Sequence, residues 1–244
     1  MGLIDISPFV VAMGLLADTP PFERFGTAHW TVLALTALFA FNLVYISRGN
    51  LERGRWCDRV LAVFLLLLYP SSLALGRELG LLNKDNILPC HLCDLAALCG
   101  AAALWFRNQR LAEIVWFWGL AGTLNGLVTP ALSESFPSLR FISFFALHSG
   151  VVIAAVYLVA GLGLRPQPGA VWRAFGWMQV YALLAGAVNY ATGSNYGFLR
   201  SKPEQASLLD FLGPWPWYLI GLEALALVLF ALLYLPFRPL PARK

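Results

Sequence analysis

Seven apolar runs divide this chain, and each is close to the roughly 17 to 25 residues an α-helix needs to cross a bilayer. They are Trp30 to Ile46, Val60 to Leu75, Ile87 to Phe106, Leu111 to Pro130, Phe141 to Leu164, Val171 to Thr192 and Trp215 to Pro236. In hydrocarbon every backbone N–H and C=O must be satisfied within the protein, so runs of this length call for a helical bundle. With 59% hydrophobic and only 12% charged residues in 244, the chain has more apolar surface than one soluble core buries. The expected fold is all-α: a polytopic membrane protein with seven transmembrane helices. The second run is the shortest and carries Pro70, which predicts a kink or a wet outer end.

The bundle is expected over residues 27–237, with a lead-in at 1–26 and a basic cytoplasmic tail at 238–244. The first segment holds only the short apolar piece Pro8 to Ala17 with no basic residue before it. It reads as an interfacial helix or lead-in rather than a secretory signal. Orientation follows from basic residues on alternate sides. Arg48, Arg53, Arg55, Arg59, Arg107, Arg110, Arg165, Arg173, Arg238, Arg243 and Lys244 make eleven on one side. Arg24, Arg77, Lys84, Arg140, Arg200 and Lys202 make six on the other. The N-terminus is therefore expected outside and the C-terminus in the cytoplasm. The charge of +4 is read as loop topology, not as a nucleic-acid surface.

Chemistry concentrates at the head of the third run, in Asn86-Ile87-Leu88-Pro89-Cys90-His91-Leu92-Cys93-Asp94. Ionisable groups within a span are costly and mark a functional site by default. At about 100° per residue, Cys90, Cys93 and Asp94 share one helix face and His91 points about a quarter turn aside. If Asn86 caps the helix and Pro89 occupies its first turn, Cys90 lies among free N–H groups, where a thiol pKa falls. His148 enters from the same side, about 10 Å below Phe141 at 1.5 Å per residue. Asn125, Asn189 and Tyr190 end the outward-running helices, and Glu223 lies a turn or two inside the seventh. One outer-leaflet cavity is expected to collect these groups, with Cys90 and His148 facing each other within hydrogen-bond or one-water reach.

Plainer roles stand beside this. Cys57 and Cys99 read as small buried hydrophobes, and Trp215, Trp217 and Tyr218 as an interfacial aromatic belt. Asn125 and Asn189 serve equally as interhelical glue. Arg200 and Lys202 are solvated loop charges or contacts to lipid phosphate.

The run Leu88-Pro89-Cys90-His91-Leu92-Cys93-Asp94, with Asn195-Tyr196-Gly197-Phe198-Leu199, Lys202-Pro203 and Ser207 to Pro216, resembles the bacterial YwaF-type integral membrane family. That family is similar, more distantly, to eukaryotic transmembrane protein 164, a cysteine-dependent acyltransferase that remodels ether phospholipids. Pro89-Cys90-His91 matches the reactive Pro-Cys-His of that enzyme, and His148 matches its histidine in a later span. Bacterial members often carry an apolar residue at the position of Cys90 and keep the cysteine at that of Cys93. This chain satisfies both patterns.

The resemblance implies acyl transfer through a cysteine thioester in a bacterial inner membrane, toward the outer leaflet, or the related lipid hydrolysis. The partners would be a phospholipid acyl donor, a lysolipid acceptor and the bilayer, with no nucleic acid, cofactor or metal. Cys90 is the expected nucleophile, with Cys93 as its alternate and His91 beside it, and His148 the base. Substrate contacts or orienting roles fall to Asp94, Asn125, Asn189, Tyr190, Asn195, Tyr196, Lys202 and Glu223. Three rivals stay open. Cys90 and Cys93 form a Cys-x-x-Cys suited to thiol–disulfide exchange, though the outer loops lack the second cysteine pair such proteins use. A metal could be held by Cys90, His91, Cys93 and His148. A noncatalytic lipid-binding or transport protein is the third.

Overall fold

The computed structural model describes residues 19–49, 51–203 and 207–238. Most of the lead-in, and the basic tail beyond Arg238, lie outside the described residues. The described chain is helical, with one isolated antiparallel bridge between Pro21 and Glu134. In order the helices are α1 (Thr27–Gly49), α2 (Leu51–Glu78), α3 (Leu92–Phe106), α4 (Gln109–Val128), α5 (Leu139–Gly161), α6 (Ala170–Thr192) and α7 (Trp217–Phe237). Five of them, α1, α2, α4, α5 and α7, are long and apolar enough to cross a membrane, which makes this an integral membrane protein. The 23-residue α6 is less apolar because Arg173, Gln179 and Asn189 interrupt it.

α3 is shorter than a span requires, at 15 residues, and its composition explains where it sits. The sequence LCDLAALCGAAALWF has small residues on several faces, so neighbours approach closely. Ala96, Ala97, Gly100, Ala101, Ala103 and Leu104 are buried, and a β-carbon at Gly100 would lie 3.1 Å from Leu65 Cδ1 of α2. α2, α4 and α5 pack around it. α2 runs on through Pro70 to Glu78, with the Ser71 hydroxyl bonding the carbonyls of Leu67 and Leu68. Its start at Leu51 places Arg55, Cys57 and Arg59 on the helix itself rather than in a loop.

Two π-turns widen the bundle, at Gly119–Thr123 in α4 and Tyr157–Gly161 in α5. One end is closed by ion pairs the sequence reading passed over. Arg107 places two N–H groups on Asp58, at 2.9 and 2.6 Å, and Tyr157 donates to the same carboxylate at 2.7 Å. Arg173 forks onto Glu113 at 2.8 to 3.0 Å. Glu113 is almost wholly buried, so this pairing is what makes its charge tolerable there.

At the opposite end, residues 20–22 pair with 133–135. The loop after α2 is tied to the loop after α6 by Lys84 Nζ to Gly193 O at 2.6 Å and Asn195 N to Asp85 Oδ1 at 2.7 Å.

Candidate functional site

α3 begins two residues after Cys90. His91 is its N-cap, in extended conformation (φ −76°, ψ 151°), and Asp94 Oδ2 accepts from His91 N–H at 3.2 Å. The expected start near Asn86 is therefore corrected. Pro89 biases Leu88 away from helical backbone, and Asn83, Asp85 and Asn86 favour local turns. Asn86 caps such a turn, accepting from Asn83 N–H at 2.7 Å. Cys93 lies in the first turn of α3, while Cys90 lies ahead of it. Burial, and after it the carboxylate of Asp94, push the Cys90 thiol up from its usual range, not down.

The non-helical segment that carries Cys90 is held by three tyrosines from three elements. Tyr69 of α2 donates to Ile87 O at 2.6 Å, Leu88 N–H donates to Tyr196 Oη at 2.9 Å, and Tyr181 of α6 donates to Cys90 O at 3.3 Å. Tyr69 and Tyr181 were not among the expected site residues. Their signal was a phenol inside an apolar run, since a buried Tyr hydroxyl takes a partner. Gly197 belongs to the same assembly: its φ of 66° suits glycine, and a β-carbon there would collide with Tyr181 Oη.

The three histidines differ in what their ring nitrogens do. His91 donates from Nε2 to Asp85 O at 2.9 Å and accepts at Nδ1 from Gly197 N–H at 3.5 Å, with its ring edge-on to Tyr196. It joins two loops. His29 accepts from Phe25 N–H at Nδ1 and donates from Nε2 to Leu127 O, both at 2.9 Å. His148 is buried and stacked on Phe144 at 3.9 Å, and its Nδ1–H donates to Phe144 O at 2.8 Å. That bond fixes the tautomer, so Nε2 carries the lone pair. Among the described residues Nε2 has no hydrogen-bond partner, and a β-carbon at Gly126 would lie 2.9 Å from it.

Gly122 and Gly126 lie four apart along α4. Gly122 admits Leu92, whose Cδ2 would be 3.1 Å from a β-carbon there, and Gly126 admits the His148 ring. The start of α3 and His148 are thus brought to the same stretch of α4. Among the described residues no hydrogen bond joins His148 to Cys90 or Cys93. All four cysteines are free thiols, and no three His, Cys, Asp or Glu of the described residues are grouped to hold a metal.

The remaining expected residues divide. Asn189 is buried and pairs with the Tyr196 backbone, donating to its O at 2.9 Å and accepting from its N–H at 2.7 Å. Asn195 folds the loop after α6, bonding Arg200 N–H, Ser201 N–H and Ser201 O. Asn125 lies one residue from Gly126, in weak contact with Thr129 Oγ1 at 3.5 Å. Lys202 lies over the Tyr218 ring at 5.6 Å. Glu223 accepts from Gln179 at 2.6 Å between α6 and α7. Tyr190 is 92% exposed and points away from the others. A cavity of about 940 Å³ is an apolar groove between α1, α2 and α5, and none of the expected site residues line it. Phe141, Phe145 and Ser149 face this groove, whereas His148 packs toward α4.

Comparison with known proteins places this architecture. An uncharacterized protein of Treponema pallidum (strain Nichols) is 27% identical over 232 residues, covering 92% of this chain and 93% of its own. No solved structure matches. The TMEM164 family model matches residues 24–234, a stretch that takes in all seven helices up to the last turn of α7. The chain is a member of the TMEM164 family.

Proposed function

We propose that this protein is a membrane-embedded lipid acyltransferase that works through a cysteine acyl-thioester, with His148 as general base. The observation that carries this is the state of His148: alone of the three histidines it keeps a ring nitrogen free, and the bond to Phe144 O fixes that nitrogen as the basic one. The TMEM164 family match over residues 24–234 supports the reading, the chemistry being the one that the resemblance to eukaryotic transmembrane protein 164 implies.

In the proposed cycle Cys90 Sγ attacks the ester carbonyl of a phospholipid donor while His148 Nε2 removes the thiol proton. Collapse expels the lysolipid alkoxide, which takes the proton back, and leaves the acyl group on sulfur. The hydroxyl of a lysolipid acceptor then attacks the thioester, again losing its proton to Nε2, and the thiol is restored. The backbone N–H groups at the start of α3 are the donors for the tetrahedral oxyanion. Closure of the remaining gap between thiol and imidazole accompanies substrate binding, as catalytic hydrogen bonds often tighten only in the substrate complex. Cys93, in the first turn of α3, is the alternate nucleophile.

The full reading places seven spans in a bacterial inner membrane, residues 1–26 as lead-in and 238–244 as cytoplasmic tail, with the Cys90 end at the outer leaflet. An ester carbonyl lies just beneath the headgroups, at the depth of the α3 start. The test is transfer of a labelled acyl chain from phospholipid to lysolipid in proteoliposomes, with C90S, C93S and H148A variants. H148A and one of the two thiol variants should lose transfer by about a hundredfold or more, while the other thiol variant stays active. Equal activity of all four proteins overturns the mechanism.

A further inference from the structure

Two cations from different loops converge on the C-terminal end of α6. Lys84 Nζ donates to Gly193 O at 2.6 Å. Arg200 makes only long contacts there, from Nη1 to Asn189 O at 3.4 Å and to Ser194 O at 3.5 Å. Gly193 caps the helix with φ 70°, a conformation that excludes most side chains, so its β position carries no atom. That bare point lies 3.9 Å from Lys84 Nζ and 3.9 Å from Arg200 Nη1, and beyond the adjoining chain nothing else comes within 4 Å.

Cations at a helix C-terminus interact favourably with the dipole, and this accounts for one N–H of Lys84. Arg200 meets the same helix end only at long range and through Nη1 alone, at 3.4 Å from Asn189 O and 3.5 Å from Ser194 O, which leaves the rest of its planar fork of donors unused. Neither cation has a carboxylate oxygen within 4 Å among the described residues, where the ion pairs are those of Asp58, Glu113 and Glu134. Asp85, next in sequence to Lys84, turns its Oδ1 to Asn195 N–H. What remains is two positive groups flanking an atom-free point, with donors left over on both.

We propose that Lys84 and Arg200 form a cradle for a phosphate group over the bare Cα of Gly193. A tetrahedral anion with several oxygens can take N–H groups from an ammonium and a guanidinium at once. The cradle adjoins the Cys90 segment, because Asp85, bonded to Asn195, also receives His91 Nε2–H through its carbonyl. It rests on the acyl-transfer reading for its meaning: a donor phospholipid held there by its phosphate would present its glycerol esters to Cys90.

The test measures binding without turnover. The wild-type protein is held in phosphate-free detergent and its lysines are reductively methylated, with or without dihexanoylphosphatidylcholine, glycerophosphocholine, inorganic phosphate or dihexanoylglycerol. The extent at Lys84 and Lys202 is read by mass spectrometry. The phosphate-bearing lipid should slow methylation of Lys84 about tenfold and leave Lys202 unchanged. Protection by the lipid and by glycerophosphocholine, but not by inorganic phosphate, assigns the cradle to a headgroup. Protection by inorganic phosphate alone assigns it to the free ion. Equal protection by dihexanoylglycerol, or none by any probe, overturns it. With binding of the short-chain lipid read by equilibrium dialysis below its micelle concentration, K84Q/R200Q should weaken it about tenfold or more while K84R/R200K retains it. C90S should protect Lys84 as well as wild type does, so failure of the thioester mechanism and failure of the cradle are read separately.

Discussion

His148 stands edge-on to Gly126: a β-carbon there would lie 2.8 Å from its Cδ2 and 2.9 Å from its Nε2. The ring has little room to retreat, because Phe144 stacks on it at 3.9 Å and accepts its Nδ1–H. Gly126→Ala should therefore displace the imidazole. Overpacking of this kind costs about 1 to 3 kcal/mol of stability, and a base moved by about 1 Å loses roughly a hundredfold in rate. Gly122→Ala, which meets only the end of the Leu92 side chain, should affect stability alone. Acyl transfer by folded G126A at the wild-type rate would remove His148 from the mechanism.

The thiol of Cys90 gives a prediction with a definite sign. Burial and then the Asp94 carboxylate raise its pKa, so the thiolate fraction is small at neutral pH and grows about tenfold per pH unit up to that pKa. Alkylation of Cys90 by a charged maleimide, followed in a variant that lacks the other three cysteines, should still be climbing above pH 9. Asp94→Asn removes the charge and leaves an oxygen to accept His91 N–H, so α3 keeps its cap. It should speed alkylation about two- to fivefold at pH 8. A rate that levels off below pH 8 would mean a depressed pKa and an environment unlike the one described.

At the other end of the bundle the pair Glu113–Arg173 should dominate stability. Arg173→Ala leaves a buried carboxylate without its bidentate partner, at a cost of about 3 to 5 kcal/mol. Adding Glu113→Gln should recover much of that loss, because it removes a buried charge that only the longer Arg110 contact at 3.4 Å and the Gln167 N–H at 3.1 Å still offset. Unfolding in detergent by thermal scan checks both variants. An R173A protein as stable as wild type would show that the ion pair is not needed for burial.

Much of the fold was legible in the sequence because the bilayer imposes a length on helices and leaves few alternatives. The apolar runs mark all the long helices, whereas the pairing of residues 85–91 with 195–197 has no periodic signal, because it is made by backbone and side-chain hydrogen bonds between two loops. The start of α3 was not legible from periodicity. Cys90, Cys93 and Asp94 match a helical face, but Pro89 and the Asn-rich turn before it outweigh that match, and Cys90 ends outside the helix. Tyr69 and Tyr181 escaped notice since an aromatic within a span is more often packing than a tether. Equal depth does not by itself bring Cys90 and His148 together. Depth fixes one coordinate of a helix residue, and rotation about the axis, set here by Gly126 and Phe144, fixes the other.

Orientation in the membrane gives the final prediction. The two ends of the bundle differ in how their basic residues are used. Arg48, Arg107 and Arg173 are engaged at one end, with Ala160 O, Asp58 and Glu113. Lys84, Arg200 and Lys202 gather at the other with fewer companions. By the rule that cytoplasmic loops carry the excess of Lys and Arg, the end with Arg107 and Arg173 is expected inside and the Cys90 end outside. A reporter active only in the cytoplasm should work when fused after Lys244 and fail when inserted near Lys202. A membrane-impermeant maleimide should label Cys90, in the variant lacking the other cysteines, from the outside of intact cells. The opposite pattern in both experiments would move the site to the inner leaflet, where the thioester chemistry could still run but the donor would have to come from cytoplasmic-leaflet lipid.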